Sequence, residues 1–277
     1  MVRRVDWRRL HCGKSENPLM KAAFVTKHSR ILGALMMREL TTRFGRDGIG
    51  FLWLIVEPLA FCVGVMLLWA FSKPSYEHGI RVAPFVMTGY MALVLIRHQV
   101  GLSAGAIQAN IGLLHHRQVS PLHILLARNL LEVAGATGAF LVVYVALLSM
   151  GQVDLPSNYL LLYAGWFLLA WMGMGFALLL AGLSMRFEAV ERIVPLLTYL
   201  LIPLSGVFVM VDWLPYQYQE AYLLVPFPNA IEMVRSAVFG EFVTTHYNIA
   251  YGVATGTLMN ILGMLLIAGA RDRIDVE

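Results

Sequence analysis

Six apolar stretches, at residues 50–72, 82–103, 124–150, 159–183, 191–211 and 248–270, fill most of this 277-residue chain and alternate with short polar segments. Most reach the roughly 20 residues that a helix needs to cross a ~30 Å hydrocarbon core. The pattern predicts an all-α polytopic membrane protein with six transmembrane helices.

Ahead of the first stretch, Ile31, Leu32, Leu35, Met36, Leu40 and Phe44 recur at helical spacing, while Arg30, Arg38, Thr41 and Arg43 project elsewhere. This predicts an interfacial amphipathic helix over 28–46, after a basic tail at 1–27. It runs into a hinge-like Gly45-Arg46-Asp47-Gly48, and the chain then enters the membrane at Phe51-Leu52-Trp53. A plain membrane anchor accounts for the pattern as well as a mechanical role does. The segment 104–122 mixes short apolar pairs with polar residues. It predicts a short helix across the end of two spans, then a new helix with Ser120 as N-cap and Pro121 at its first position. In 212–247, Pro215, Pro226 and Pro228 predict two helices of about eleven residues, each no longer than ~17 Å. There Ile231, Met233, Val234, Ala237 and Val238 outnumber Glu232, Arg235 and Ser236, which favours a re-entrant or interfacial hairpin.

Charge orients these segments. Eleven of the 21 Lys and Arg fall in the first 46 residues, and Arg117, Arg186, Arg192, Arg271 and Arg273 lie on the same side of the expected topology. The opposite side holds Lys73, Arg81 and Arg235, and Arg97 and Arg128 lie in or near spans. The asymmetry places both termini and the loops 104–122 and 184–190 in the cytoplasm. No cleavable signal peptide is expected, because the first 48 residues lack an apolar core. The net charge of +4 follows from that tail. It suits anionic membrane lipids, and no nucleic acid partner is expected.

Several chemistries are excluded. Cys12 and Cys62 are expected in different compartments, so no disulfide joins them. His115-His116 has no third ligand nearby, so no metal site is expected. Gly13-Lys14-Ser15 resembles the end of a phosphate-binding loop, but Arg8 stands where the pattern needs glycine and no apolar strand precedes it. Any ATP used must therefore be hydrolysed by a partner, and the chain is not expected to be an enzyme by itself. An intramembrane transferase would need clustered Asp residues, and an ion-coupled transporter usually shows internal duplication; neither is visible, and both stand as less favoured alternatives.

Four sets of residues carry a family resemblance. They are Arg38-Glu39-Leu40 with Thr42-Arg43-Phe44-Gly45; Gly50-Phe51-Leu52-Trp53 with Glu57-Pro58; Asn110, Leu113-Leu114 and Gln118-Val119-Ser120-Pro121; and Ser205-Gly206-Val207-Phe208, Leu214-Pro215, Pro226, Ile231-Glu232 and Arg235. In order and spacing they resemble the membrane subunit of an ABC-2 polysaccharide exporter over about residues 28–272. Within that family the chain looks most like the permease of Gram-negative capsular polysaccharide export.

The resemblance implies an ABC-2 type permease fold, with a transmembrane domain at 47–272 and a cytoplasmic C-terminus at 273–277. It implies a homodimer on two copies of a separate ABC ATPase, which binds the ATP and Mg; no cofactor is expected on this chain. The cargo implied is a lipid-linked anionic polysaccharide crossing the bacterial inner membrane, with periplasmic and outer-membrane export components beyond. O-antigen or teichoic-acid polymers are alternative cargoes. Residues 104–120 would be the coupling helix, with Asn110, Leu113, Leu114, His115, His116 and Arg117 facing the ATPase. Residues 28–46 would be the interface helix, and 213–240 the outer gate, with Trp213, Tyr216, Tyr218, Glu232 and Arg235.

Charges at membrane depth each cost ~2.5–3.5 kcal/mol, so each is a candidate site. Glu57, before Pro58, could order a pore entrance or make a packing contact. Arg97 and His98, at the cytoplasmic end of the second span, could guide an anionic chain, with Arg43 and Arg46 extending the entrance; snorkelling accounts for Arg97 as well. Arg128 and Glu132, four apart, are expected to neutralise each other. Tyr90, Trp166, Trp171 and Tyr199 could line a sugar pathway or simply pack. Gly101/Gly105 and Gly252/Gly256 have spacing that lets helices approach closely, and Pro195 and Pro203 are expected to kink the fifth span.

Overall fold

A computed structural model describes residues 18–45, 50–72, 76–77, 79–114 and 119–270. Cys12, Gly13-Lys14-Ser15, Arg46, His115, His116, Arg117 and the last seven residues lie outside them. The first helix, α1 (Pro18–Phe44), begins ten residues before the expected position 28, with proline at a first-turn position where its missing N–H costs no hydrogen bond. Gly45 then donates its N–H to the Thr41 carbonyl. After α2 (Gly50–Ser72), the two-residue strands β1 (Tyr76–Glu77) and β2 (Ile80–Arg81) pair antiparallel and lead into α3 (Val82–Gly101). A 3-10 turn at Gln108–Asn110 and the single turn α4 (Ile111–Leu114) form the short helical segment expected between the second and third stretches.

Ser120 caps α5 (Pro121–Ser149) as its spacing predicted. Its side chain accepts from the His123 N–H while the His123 ring accepts from the Ser120 N–H, a reciprocal capping box. Asn158 and Asn248 cap α6 (Tyr159–Ser184) and, later, α10 (Ile249–Ala268) in the same side-chain-to-N–H manner.

Between them, α7 (Ala189–Leu204) is shorter than the stretch 191–211 foretold. The helix stops at Leu204 because Gly206 adopts a φ of 85°, open to glycine and strained for other residues. The outer segment also divides unevenly. α8 (Tyr216–Leu223) has eight residues and α9 (Pro226–Phe239) fourteen, where two helices of about eleven were expected. Pro226 and Pro228 sit in the first turn of α9, where no intrahelical N–H is required, so they open the helix instead of breaking it.

α3 stands at the centre, packed against α2, α5, α6, α7 and α9. Its side chains are buried almost throughout; the partly open ones are Ala83, Tyr90 and Arg97, seven apart on one stripe, and His98. α6 and α10 make the most extensive helix pair. Gly252 and Gly256 let this seam close, since a Cβ at Gly252 would lie 2.9 Å from Leu168 and one at Gly256 2.9 Å from both Met172 and Trp171. Gly101 and Gly105 serve no such contact. A Cβ at Gly101 would only reach Thr198 at 4.0 Å, and one at Gly105 would meet nothing within 4 Å, because α3 has ended before Gly105.

The outward faces carry large apolar side chains, among them Phe71 of α2, Val145 of α5, Phe167 of α6, Leu196 of α7 and Leu265 of α10. A surface of that kind suits hydrocarbon and would be a liability in water. Among the described residues, four helices, α2, α5, α6 and α10, are long and apolar enough to cross a membrane. α3 has twenty residues but carries Arg97 and His98, and α7, with sixteen, extends about 24 Å.

Candidate functional site

Two clusters of buried charge stand at opposite ends of the bundle. At the end marked by α1, Glu39 of α1 accepts at one oxygen from Arg43 Nε, 2.8 Å away, and from Arg128 Nε of α5, at 2.7 Å. Arg43 Nη1 donates to Glu132 of α5 at 2.6 Å, and His98 Nδ1 of α3 lies 3.2 Å from the other Glu132 oxygen. Arg128 also caps the end of α3 by donating to the Leu102 carbonyl. Glu39 and Glu132 are only 8% and 4% exposed, so each carboxylate depends on these donors. Removing one partner of such a pair typically costs about 3–5 kcal/mol.

This arrangement corrects the expected Arg128–Glu132 pair. The two share a helix face, but α1 lies over that face and offers each a better-placed partner. Arg43 and His98, expected at a basic entrance, both turn onto Glu132.

Further contacts extend the tie. Arg38 donates from Nη1 to Asn110 Oδ1 at 2.8 Å, and Asn110 Nδ2 donates to the Ala106 carbonyl at 2.8 Å, so α1 holds the 3-10 turn of the loop. His28 Nδ1 lies 2.7 Å from His123 Nε2, and the rings stack at 5.0 Å. Leu113 and Leu114 lie in α4, with Leu114 against the small apolar cluster of Ile107, Leu125, Leu178 and Ile267.

At the other end, Arg235 of α9 is fully buried. Its Nη1 donates to the Gly206 and Val209 carbonyls at 2.8 and 3.1 Å, and its Nη2 to Val207 at 2.6 Å. Its guanidinium stands 4.3 Å from the Phe85 ring centroid and 3.6 Å from Glu232. Glu232 accepts from the N–H groups of Val211 and His246. Burial pushes the Glu232 carboxyl up and lowers Arg235 to about 10, which leaves the guanidinium charged at neutral pH. Trp213 stacks on Phe85 at 5.0 Å. Tyr216 and Tyr218 are exposed on α8. Hydrogen bonds from Thr244 first and His246 second hold the Asp212 carboxyl below its ordinary range.

The residues foreseen as a substrate pathway do not form one surface. Tyr90 and Arg97 share the open stripe of α3, and Arg97 lies under the Tyr199 ring of α7 at 5.5 Å. Glu57 is exposed on α2. Trp166 instead points at α5, donating to Thr137 at 2.9 Å and packing 4.8 Å from Phe140. Trp171 turns to α10, where Nε1 donates to Thr257 at 3.4 Å. Glu39, absent from the candidate residues, is the hub of the α1 cluster. Its i, i+4 spacing to Arg43 is a sequence signal, but its other partner, Arg128, lies 89 positions away.

The sequence pattern of the ABC-2 type transporter family matches residues 30–239. The chain is 37% identical over 239 residues to the capsule polysaccharide export inner-membrane protein CtrC of Neisseria meningitidis serogroup A, covering 86% of this chain and 90% of the relative. It is 34% identical over 238 residues to the capsule polysaccharide export inner-membrane protein BexB of Haemophilus influenzae, with the same coverage. The polysialic acid transport protein KpsM of Escherichia coli is 27% identical over 234 residues, covering 84% of this chain and 90% of the relative.

Proposed function

The chain belongs to the ABC-2 type transporter family, and from that premise we propose that it is the transmembrane subunit of an exporter that moves lipid-linked capsular polysaccharide out of the cytoplasm across the inner membrane. The observation that carries this is the similarity to capsule export proteins along 86% of the chain. Two copies would pair on two ATPase subunits, which bind and hydrolyse the ATP. Six crossings are assigned to α2, α3, α5, α6, α7 and α10, with both termini cytoplasmic; the Lys and Arg asymmetry supports that orientation.

In this reading the segment 104–114, with His115, His116 and Arg117 beyond it, seats on the ATPase. Closure of the ATPase pair displaces that segment, and the contacts of Asn110 and Leu102 pass the displacement to α1, α3 and α5. An anionic polymer or its linker passes the α3 stripe, where the Arg97 guanidinium under Tyr199 supplies a fixed positive charge. The outer segment α8–α9 closes the exit and faces periplasmic and outer-membrane components.

Inactivating the gene in its native host and locating the polysaccharide by fractionation and surface labelling tests the reading. Polymer retained in the cytoplasm beneath a bare surface is expected. Unchanged surface polymer with no internal build-up overturns it.

A further inference from the structure

Leu35, 9% exposed, is the one buried apolar side chain among the described residues of α1. A helix held by apolar burial can slide, because that force has no direction. α1 is held differently: Glu39 by Arg128 of α5, Arg43 by Glu132 of α5, Arg38 by Asn110 of the loop, and His28 by His123 of α5. Hydrogen-bonded charge pairs accept one geometry, so they set register as well as attraction. The same two α5 residues also reach α3, Glu132 through His98 and Arg128 through the Leu102 carbonyl.

We infer that Glu39 and Glu132 are positioning residues that clamp α1, the inner end of α3 and α5 into one rigid body, so that a push on the 104–114 segment moves all three together. The inference rests on the proposed exporter function and adds which residues transmit the stroke. The α3–α5 contact does not need the clamp, since those helices also meet through Leu95, Ala136, Ala139 and Phe140 in the main core. Losing the clamp should therefore spare the fold and the ATPase contact while α1 is no longer driven.

The test uses the full complex with its ATPase partner in proteoliposomes. The variant is the paired Glu39→Met with Arg128→Met, which removes the ion pair without leaving a lone buried charge. Membrane abundance, co-purification with the ATPase and ATP hydrolysis should stay near wild type, while ATP hydrolysed per exported chain should rise about tenfold or more. Export that falls only in proportion to abundance, or an unchanged ATP-to-export ratio, overturns the clamp. A second measurement does not depend on polymer: spin labels at Met37→Cys and Leu130→Cys, both on exposed positions, report the α1–α5 distance. A narrow distribution that broadens in the paired variant supports the clamp, and an unchanged one overturns it. Wild-type complex that hydrolyses ATP yet moves no polymer would instead sink the exporter reading, a result separable from either clamp outcome.

Discussion

The Arg235 guanidinium stands 4.3 Å from the centre of the Phe85 ring while its two Nη groups donate to the carbonyls of Gly206, Val207 and Val209. Those carbonyls belong to the irregular chain just after α7, where buried backbone acceptors need donors from outside a helix. Arg235 therefore fastens α9 to the end of α7 and to α3 from within, instead of lining an exit.

Arg235→Met should leave those carbonyls without their donor and Glu232 without its cationic neighbour, and cost about 3–5 kcal/mol. Arg235→Lys should rescue little, because a single ammonium cannot reproduce the planar fork on three acceptors. Thermal unfolding of the detergent-purified protein checks both, and wild-type stability in Arg235→Lys would contradict the assignment.

Gly89 faces the same cluster. A Cβ there would lie 2.5 Å from the Val207 carbonyl oxygen and 2.8 Å from Arg235 Nη2. Gly89→Ala should lower membrane abundance and thermal stability. Gly64→Ala in α2, whose Cβ would meet nothing within 4 Å, should be neutral or stabilise by up to about 1 kcal/mol through helix propensity.

The two kinds of aromatic candidate should separate. Trp166→Phe should cost about 1 kcal/mol for the hydrogen bond to Thr137 and leave export nearly intact. Arg97→Ala should cut surface polymer strongly at unchanged abundance. Quantifying surface polysaccharide against protein level distinguishes them, and normal export in Arg97→Ala removes Arg97 from the pathway.

Asp212 gives a pH prediction. Its carboxyl is held below the ordinary range, first by Thr244 and then by His246. A depressed carboxylate contributes stability that is present above its unfolded value and is lost as pH falls through the folded one. Asp212→Asn should flatten the loss of thermal stability on acidification below about pH 4. An identical pH profile in the variant would exclude that contribution.

Ser120 and Pro121 announced the start of α5, and the structure has the capping box there, because capping depends on residues within one turn. The seam glycines 252 and 256 were legible from their four-residue spacing, but the same spacing at Gly101 and Gly105 makes no close contact because α3 ends between them. The end of α7 at Gly206 was missed because Val207-Phe208-Val209-Met210 continue the apolar run, and hydropathy does not register a φ of 85°. The Arg128–Glu132 pairing failed because four-residue spacing places two charges on one face without saying what covers it.

Apolar runs of spanning length and helix starts at capping residues were legible in the sequence because both are governed by local physics. The tertiary structure decided which charges meet. Glu39 with Arg128, Glu132 with Arg43 and His98, and Arg235 with the carbonyls after α7 join positions far apart in the chain. A buried charge binds whatever donor or acceptor packing brings within about 3 Å, and only the fold sets that distance.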